Sequence, residues 1–269
     1  MKKLLRDSQY LRSIRLNREK MHSFSEYPFC LPAVQNLQTL AFHPNVTFLV
    51  GENGTGKSTI LEAIAVAYGF NPEGGTKNFN FTSCNTHSAL HDYLKIVKGV
   101  KRPKDGFFLR AESFYNLASN IDELDKEPAE EAKIIDSYGG VSLHEQSHGE
   151  SFFAVFLHKF RGQGLYILDE PEAALSPSRQ MAMLARMHEL VEKESQFIIA
   201  THSPIIMAYP DAVILQVEEG FKSVGYKETE HYQVMQTFLN NTERMLDILI
   251  PEVGDQKGRG RNLTKEESI

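Results

Sequence analysis

Two hydrophobic patterns alternate along this chain. One is the short, uniformly apolar run: Val46-Thr47-Phe48-Leu49-Val50 before Gly51, Leu165-Tyr166-Ile167-Leu168 before Asp169-Glu170, and Phe197-Ile198-Ile199-Ala200 before Thr201. Runs of this length with no polar face predict strands buried on both sides. Residues 10–16, 90–97, 107–110 and 212–217 predict further strands, the first from a weak alternation of Leu11, Ser13 and Leu16. The second pattern has apolar residues three or four apart. Ile60, Leu61, Ile64 and Ala67 predict a helix over 60–68. Met181, Leu184, His188 and Val191 repeat behind Ser176-Pro177, an N-cap followed by a proline at the first helical position. Residues 152–160 and 227–249 also predict helices, the latter as core cover through Val234, Phe238, Met245, Leu246 and Leu249. A loop carries Pro28 and Pro32, and the turn-rich residues 71–80 predict an exposed loop. Residues 122–131, with six acids and one lysine, predict a solvated helix or linker. Strands separated by helices of this length predict an α/β fold with a mainly parallel sheet covered on both faces.

Composition narrows the class. A length of 269 residues with 41% hydrophobic and 24% charged residues fits one large domain with a sizeable core and excludes a largely disordered chain. Cys30 and Cys84 are too few for a disulfide framework and fit a reducing compartment. No apolar stretch reaches spanning length, the charged start Met1–Asp7 lacks the apolar core of a signal peptide, and the expected location is cytoplasmic. The formal charge is −6, yet the first 20 residues carry +5. That basic start is either a solvated strand face or a surface for nucleic acid.

The sharpest chemical signal is Gly51-Glu52-Asn53-Gly54-Thr55-Gly56-Lys57-Ser58, a full G-x-x-x-x-G-K-[ST] phosphate loop, with an apolar strand before it and a helix that opens near Ser58, its start extended by Thr59. Its glycines allow backbone N–H groups to turn toward phosphate oxygens, and the helix start adds its positive dipole end. Lys57 is placed to neutralise β/γ-phosphate charge and Ser58 to ligate Mg²⁺. A second carboxylate site follows the apolar run 165–168. Asp169 is the expected Mg²⁺ ligand, and Glu170 the group that orients or deprotonates the attacking water.

Leu168-Asp169-Glu170-Pro171, together with the phosphate loop and Thr59, resembles the ABC-type ATPases, and looks most like the soluble branch containing the SMC-type and DNA-repair ATPases. The resemblance implies a P-loop NTPase head with a mainly parallel sheet flanked by helices, an N-terminal antiparallel β lobe and a helical signature lobe near 112–160. The ATP-binding domain would span 1–250, followed by a loose tail over 251–269. Ser147-His148-Gly149-Glu150-Ser151 stands 22 residues before Asp169, where the family keeps its signature, and Ser147-x-x-Glu150 reads as a capping box. Ser147 and Gly149 would contact the γ-phosphate held by a partner subunit. His202, in Thr201-His202-Ser203-Pro204, resembles the switch histidine. The activity implied by this likeness is Mg-ATP hydrolysis in a head-to-tail homodimer, with DNA or an effector protein as further partner. The alternative is the energy subunit of a membrane transporter. The chain departs from the family at His148, at Ser176 in Ala174-Leu175-Ser176, and in having no evident Gln loop, for which Glu112 or Arg110 stand in. Tyr10, Tyr27 and Phe29 compete as the adenine-stacking aromatic. The 90 residues from Lys57 to Ser147 leave no room for a long coiled coil.

His144-Glu145-Gln146-Ser147-His148 also matches the zinc-protease pattern H-E-x-x-H. That chemistry needs an uninterrupted helix, whereas Ser147 and Gly149 suit a helix start.

Overall fold

The computed structural model describes residues 9–21, 23–77, 88–126, 133–145, 148–218 and 220–250, with His148 described in its backbone alone. Cys84 and the tail 251–269 lie outside them. Six strands form the main sheet in the order β5-β6-β7-β3-β8-β9: β3 is Val46–Val50, β5 Asp105–Arg110, β6 Gly164–Asp169, β7 Gln196–Ala200, β8 Val213–Val217 and β9 Phe221–Val224. All neighbours pair in parallel except the hairpin of β8 with β9. A second, antiparallel sheet has the order β2-β1-β4, with β1 Leu11–Leu16, β2 Thr39–Ala41 and β4 Leu94–Lys98.

Both faces of the main sheet are buried. Phe48, Leu109, Leu168 and Ile199 enter one core cluster, Leu49, Phe108, Ile167 and Ile198 the other. This explains why the strands read as unbroken apolar runs. The first cluster is closed by α3 (Phe114–Leu124), α4 (His148–Ala154), α5 (Pro177–Glu192) and α6 (Pro204–Met207). The second is closed by the antiparallel sheet, α1 (Pro32–Gln35) and α2 (Lys57–Tyr68).

One amide joins the two sheets. Gln196, fully buried at the start of β7, accepts the Tyr10 and Leu11 N–H groups at 3.0 and 2.8 Å and donates to the carbonyls of Leu11 and His43 at 2.8 and 2.9 Å.

Several local expectations are corrected. Residues 71–75 are not exposed. Asn71, Glu73, Gly74 and Gly75 are buried because Gly75 pairs with Phe108 across the edge of β5. Residues 90–93 form a 3-10 turn, Ala89–Tyr93, and the strand starts only at Leu94. The buried residues of α5 are Met183, Met187, Leu190 and Val191; of the predicted stripe, Val191 is buried and Leu184 packs half-buried against the core, while Met181, 57% exposed, and His188 face outward. Ser176 does cap α5, accepting the Arg179 N–H. The helix from His148 passes at Val155–Lys159 into a π turn. Residues 230–249 are helical, as α7 (Glu230–Asn240) and α8 (Thr242–Leu249), but they are not core cover: neither helix has a buried residue, and Val234, Leu239 and Leu249 are exposed. Residues 122–124 end α3, and 127–132 lie outside the described residues. Among the described residues no helix is long and apolar enough to cross a membrane.

Replacing Gln196 with Leu removes four hydrogen bonds and strands the buried Tyr10 and Leu11 N–H groups, while the Leu11 carbonyl keeps the Gln9 amide at 3.3 Å and His43 is half-buried. At roughly 1 kcal/mol or more for each orphaned group, Gln196→Leu is expected to cost about 2–4 kcal/mol in denaturant unfolding; a loss below about 1 kcal/mol would refute the clamp.

Candidate functional site

The parallel strands β3, β6, β7 and β8 end at one edge of the sheet, where open α/β sheets bind ligands. Register places Leu49 and Asp169 on either side of Ala200. The chain leaves β3 at Gly51 with φ +144°, and a Cβ there would stand 2.5 Å from the Val217 carbonyl oxygen, which restricts the position to glycine. Gly56, φ +101°, precedes α2, and its missing Cβ lets Leu31 approach. Lys57 opens α2, is buried, and donates through Nζ to the carbonyls of Gly51 at 2.7 Å and Glu52 at 2.8 Å. Burial lowers its pKa, while Glu170, Asp169 and Glu172 act in the opposite sense.

Next on the helix, the Ser58 hydroxyl donates to Asp169 Oδ1 at 3.0 Å. Asp169 is 4% exposed. Burial pushes its carboxyl up to about 7, against the Ser58 hydrogen bond and the Arg110 charge. Arg110, paired in register with Asp169 at the end of β5, spends its two terminal nitrogens on Glu62 at 2.7 Å and Glu112 at 2.9 Å. Its Nε lies 3.7 Å from Asp169 Oδ2 and has no hydrogen-bond partner among the described residues. Thus Arg110 and Glu112 do stand beside the carboxylate site, joined as one ion-pair network.

Glu170 takes a left-handed conformation, φ +49°, as β6 turns into the 3-10 turn Pro171–Ala174. Its N–H donates to the Ala200 carbonyl at 2.9 Å, and its half-buried carboxylate is 3.5 Å from His202 Nε2. His202 follows β7. Its N–H donates to Glu172, and its Nδ1 lies 2.8 Å from Nε2 of His231 on α7. Burial lowers the pKa of both histidines, and the Lys57 charge lowers them further, so both rings are mainly neutral at pH 7.

A pocket of about 300 Å³ borders the loop, lined by Tyr27, Leu31, Asn53, Lys57, Ser58 and Glu170 among others. Of the three candidate aromatics only Tyr27 reaches it, exposed, with its hydroxyl 3.5 Å from Thr59 Oγ1. Tyr10 is core, and Phe29 packs edge-on against Tyr93.

The fold therefore brings together Gly51, Glu52, Asn53, Gly54, Thr55, Gly56, Lys57, Ser58, Thr59, Asp169, Glu170 and His202. Ser147 lies outside the described residues. Gly149 is elsewhere, packed so closely that a Cβ would stand 2.5 Å from the Ala174 carbonyl oxygen. His144 precedes α4 and bonds Ser119, so the H-E-x-x-H pattern does not lie on one helix. Sequence reasoning missed two residues of the site. Glu172 is three positions beyond Asp169, and its polar character gave no hint that it is half-buried with one carboxylate oxygen covered. His231 is 29 positions from its partner, and no spacing rule links them.

A pair of oxygen donors, one of them a buried carboxyl that resists ionising alone, fits a hard divalent cation such as Mg²⁺. Ser58 and Asp169 would hold it.

The family described as AAA domain matches residues 20–196. No curated protein matches the chain. Among solved structures, the SMC head domain from Thermotoga maritima is 18% identical, covering 80% of this chain and 98% of its own at a TM-score of 0.39. An SMC head bound to the C-winged helix domain of ScpA is 17% identical, covering 69% and 92%, TM-score 0.41. A nucleotide-free ATP-binding cassette from an ABC transporter is 16% identical, covering 90% and 99%, TM-score 0.45.

The raised carboxyl has a consequence for stability. The folded state holds the Asp169 proton more tightly than the unfolded chain does. The stability this confers is complete below about pH 4 and is lost as pH rises through about 7. With chelator present, Asp169→Asn is expected to be more stable than wild type at pH 8, on the order of 2–4 kcal/mol, and equal to it near pH 4. Denaturant titrations at both pH values check this, and a gap independent of pH would contradict it.

Proposed function

The chain belongs to the AAA domain family, and on that premise we propose that it is an ABC-type ATPase head that binds and hydrolyses Mg-ATP. The observation that carries the reading is the convergence of Lys57, Ser58, Asp169, Glu170 and His202 at one sheet edge, from three separate strand ends. Residues 1–250 form the ATP-binding unit, and the helices within 112–160 the signature lobe.

Each residue has a task its surroundings permit. The loop from Gly51 to Thr59 cradles the phosphates with backbone N–H groups. Lys57 exchanges the two carbonyls it now holds for phosphate oxygens, a stronger charge-assisted contact. Mg²⁺, when bound by Ser58 and Asp169, supplies charge neutralisation on the phosphates. Glu170, half-buried and with the neutral His202 ring 3.5 Å away, accepts the proton of the attacking water. His202 donates from Nε2 to a γ-phosphate oxygen, and being neutral it holds no second proton to lose. Tyr27 lies against the base. Ser147 and the Gly149 N–H of a second copy close the site from the opposite side, making a head-to-tail dimer. The exposed Arg12 and Arg15 on β1 support a nucleic-acid partner, which salt-dependent binding tests.

Two variants test the assignment. Lys57→Ala is expected to weaken ATP binding by about 100-fold in equilibrium titration. Glu170→Gln is expected to bind ATP normally, to hydrolyse it at least ~100-fold more slowly, and to elute with ATP as a dimer in light scattering. Normal turnover in Glu170→Gln would remove Glu170 from the reaction. A wild-type rate per molecule independent of protein concentration, across the dimerisation range, would remove the second copy.

A further inference from the structure

We propose that His231 is a positioning residue for His202, setting which nitrogen of that ring carries the proton. The inference rests on the reading of His202 as the γ-phosphate donor and adds a residue from beyond every motif in the chain.

The argument starts from lone pairs. His202 Nε2 lies 3.5 Å from Glu170 Oε1 without a hydrogen bond among the described residues, whereas its Nδ1 is at hydrogen-bond distance, 2.8 Å, from His231 Nε2. A carboxylate only accepts, so the favourable tautomer of a neutral His202 has its proton on Nε2. Nδ1 is then a bare acceptor and needs a donor. His231 Nε2–H is the group at hydrogen-bond distance. The reverse pairing, with His202 donating from Nδ1, would turn an Nε2 lone pair toward the carboxylate and leave nothing to give a phosphate oxygen. Which ring nitrogen is protonated is set by the bond the other makes.

The pair is held by a rigid frame. His231 sits in the first turn of α7, whose cap Thr229 accepts the Tyr232 N–H. The Thr229 hydroxyl donates to the Tyr226 carbonyl at 2.8 Å, and the Tyr226 hydroxyl donates to the Pro204 carbonyl at 2.9 Å. Pro204 is two residues beyond His202, so both histidines hang from one local scaffold. The rings meet edge to face, centroids 4.9 Å apart.

His231→Phe keeps the ring contact and deletes the donor, and His231→Gln keeps an N–H at similar reach. In steady-state ATPase assays His231→Phe is expected to lower kcat about 10-fold with KM within about twofold, and His231→Gln to recover to within about threefold of wild type. Long-range ¹H–¹⁵N imidazole spectra of the full chain, with His202→Gln for assignment, should show His202 as the Nε2–H tautomer in wild type and a mixture in His231→Phe. A His231→Phe kcat within twofold of wild type, equal losses in both variants, or an Nδ1–H tautomer in wild type overturns the proposal. If wild type hydrolyses no ATP, the parent reading fails, while the tautomer spectra still decide the pairing.

Discussion

A carboxyl buried at the end of a central strand, between a serine hydroxyl and an arginine already committed to two other acids, is poorly solvated as an anion. The neighbourhood is organised around that tension. Arg110 lends Asp169 only part of its charge, because its terminal nitrogens are taken by Glu62 and Glu112. Ser58 offers one hydrogen bond. A divalent cation at this point would complete what the protein leaves undone, and Lys57, also buried, adds a positive charge from the same helix as Ser58.

Much of this is legible in the sequence for a simple reason: the informative features are local. The phosphate loop is one contiguous turn. The strand that delivers Asp169 is one contiguous apolar run, and its uniformity reflects burial on both faces. The antiparallel lobe and the parallel sheet are likewise as expected. The features that stay hidden depend on contacts between distant segments. Where the core lies turns the face of α5 toward Met183 and Met187, so that of the stripe read along the helix Leu184 and Val191 meet the core and Met181 and His188 do not. Residues 71–75 look like a surface turn until the edge of β5 pairs with them.

The same limit applies inside the site. Tyr10, Tyr27 and Phe29 are equivalent on paper, and only packing separates the core residue from the one beside the loop. Helices α7 and α8 carry the apolar spacing of core cover yet remain exposed. Periodicity records which residues share a face, not what that face meets. Gly149 shows the complement: a glycine expected for its backbone N–H is also demanded by the close passage of the Ala174 carbonyl.

Glu170 is the one member of the constellation whose main chain works against its side chain. At φ +49° an L-residue loses about 1 kcal/mol relative to a right-handed or extended geometry. Glycine would relieve that, and so would asparagine in part. A stabilised scaffold obtained by blind consensus or loop optimisation would tend to relax this turn first, yielding a hardier protein that has mislaid the carboxylate we propose as its proton acceptor.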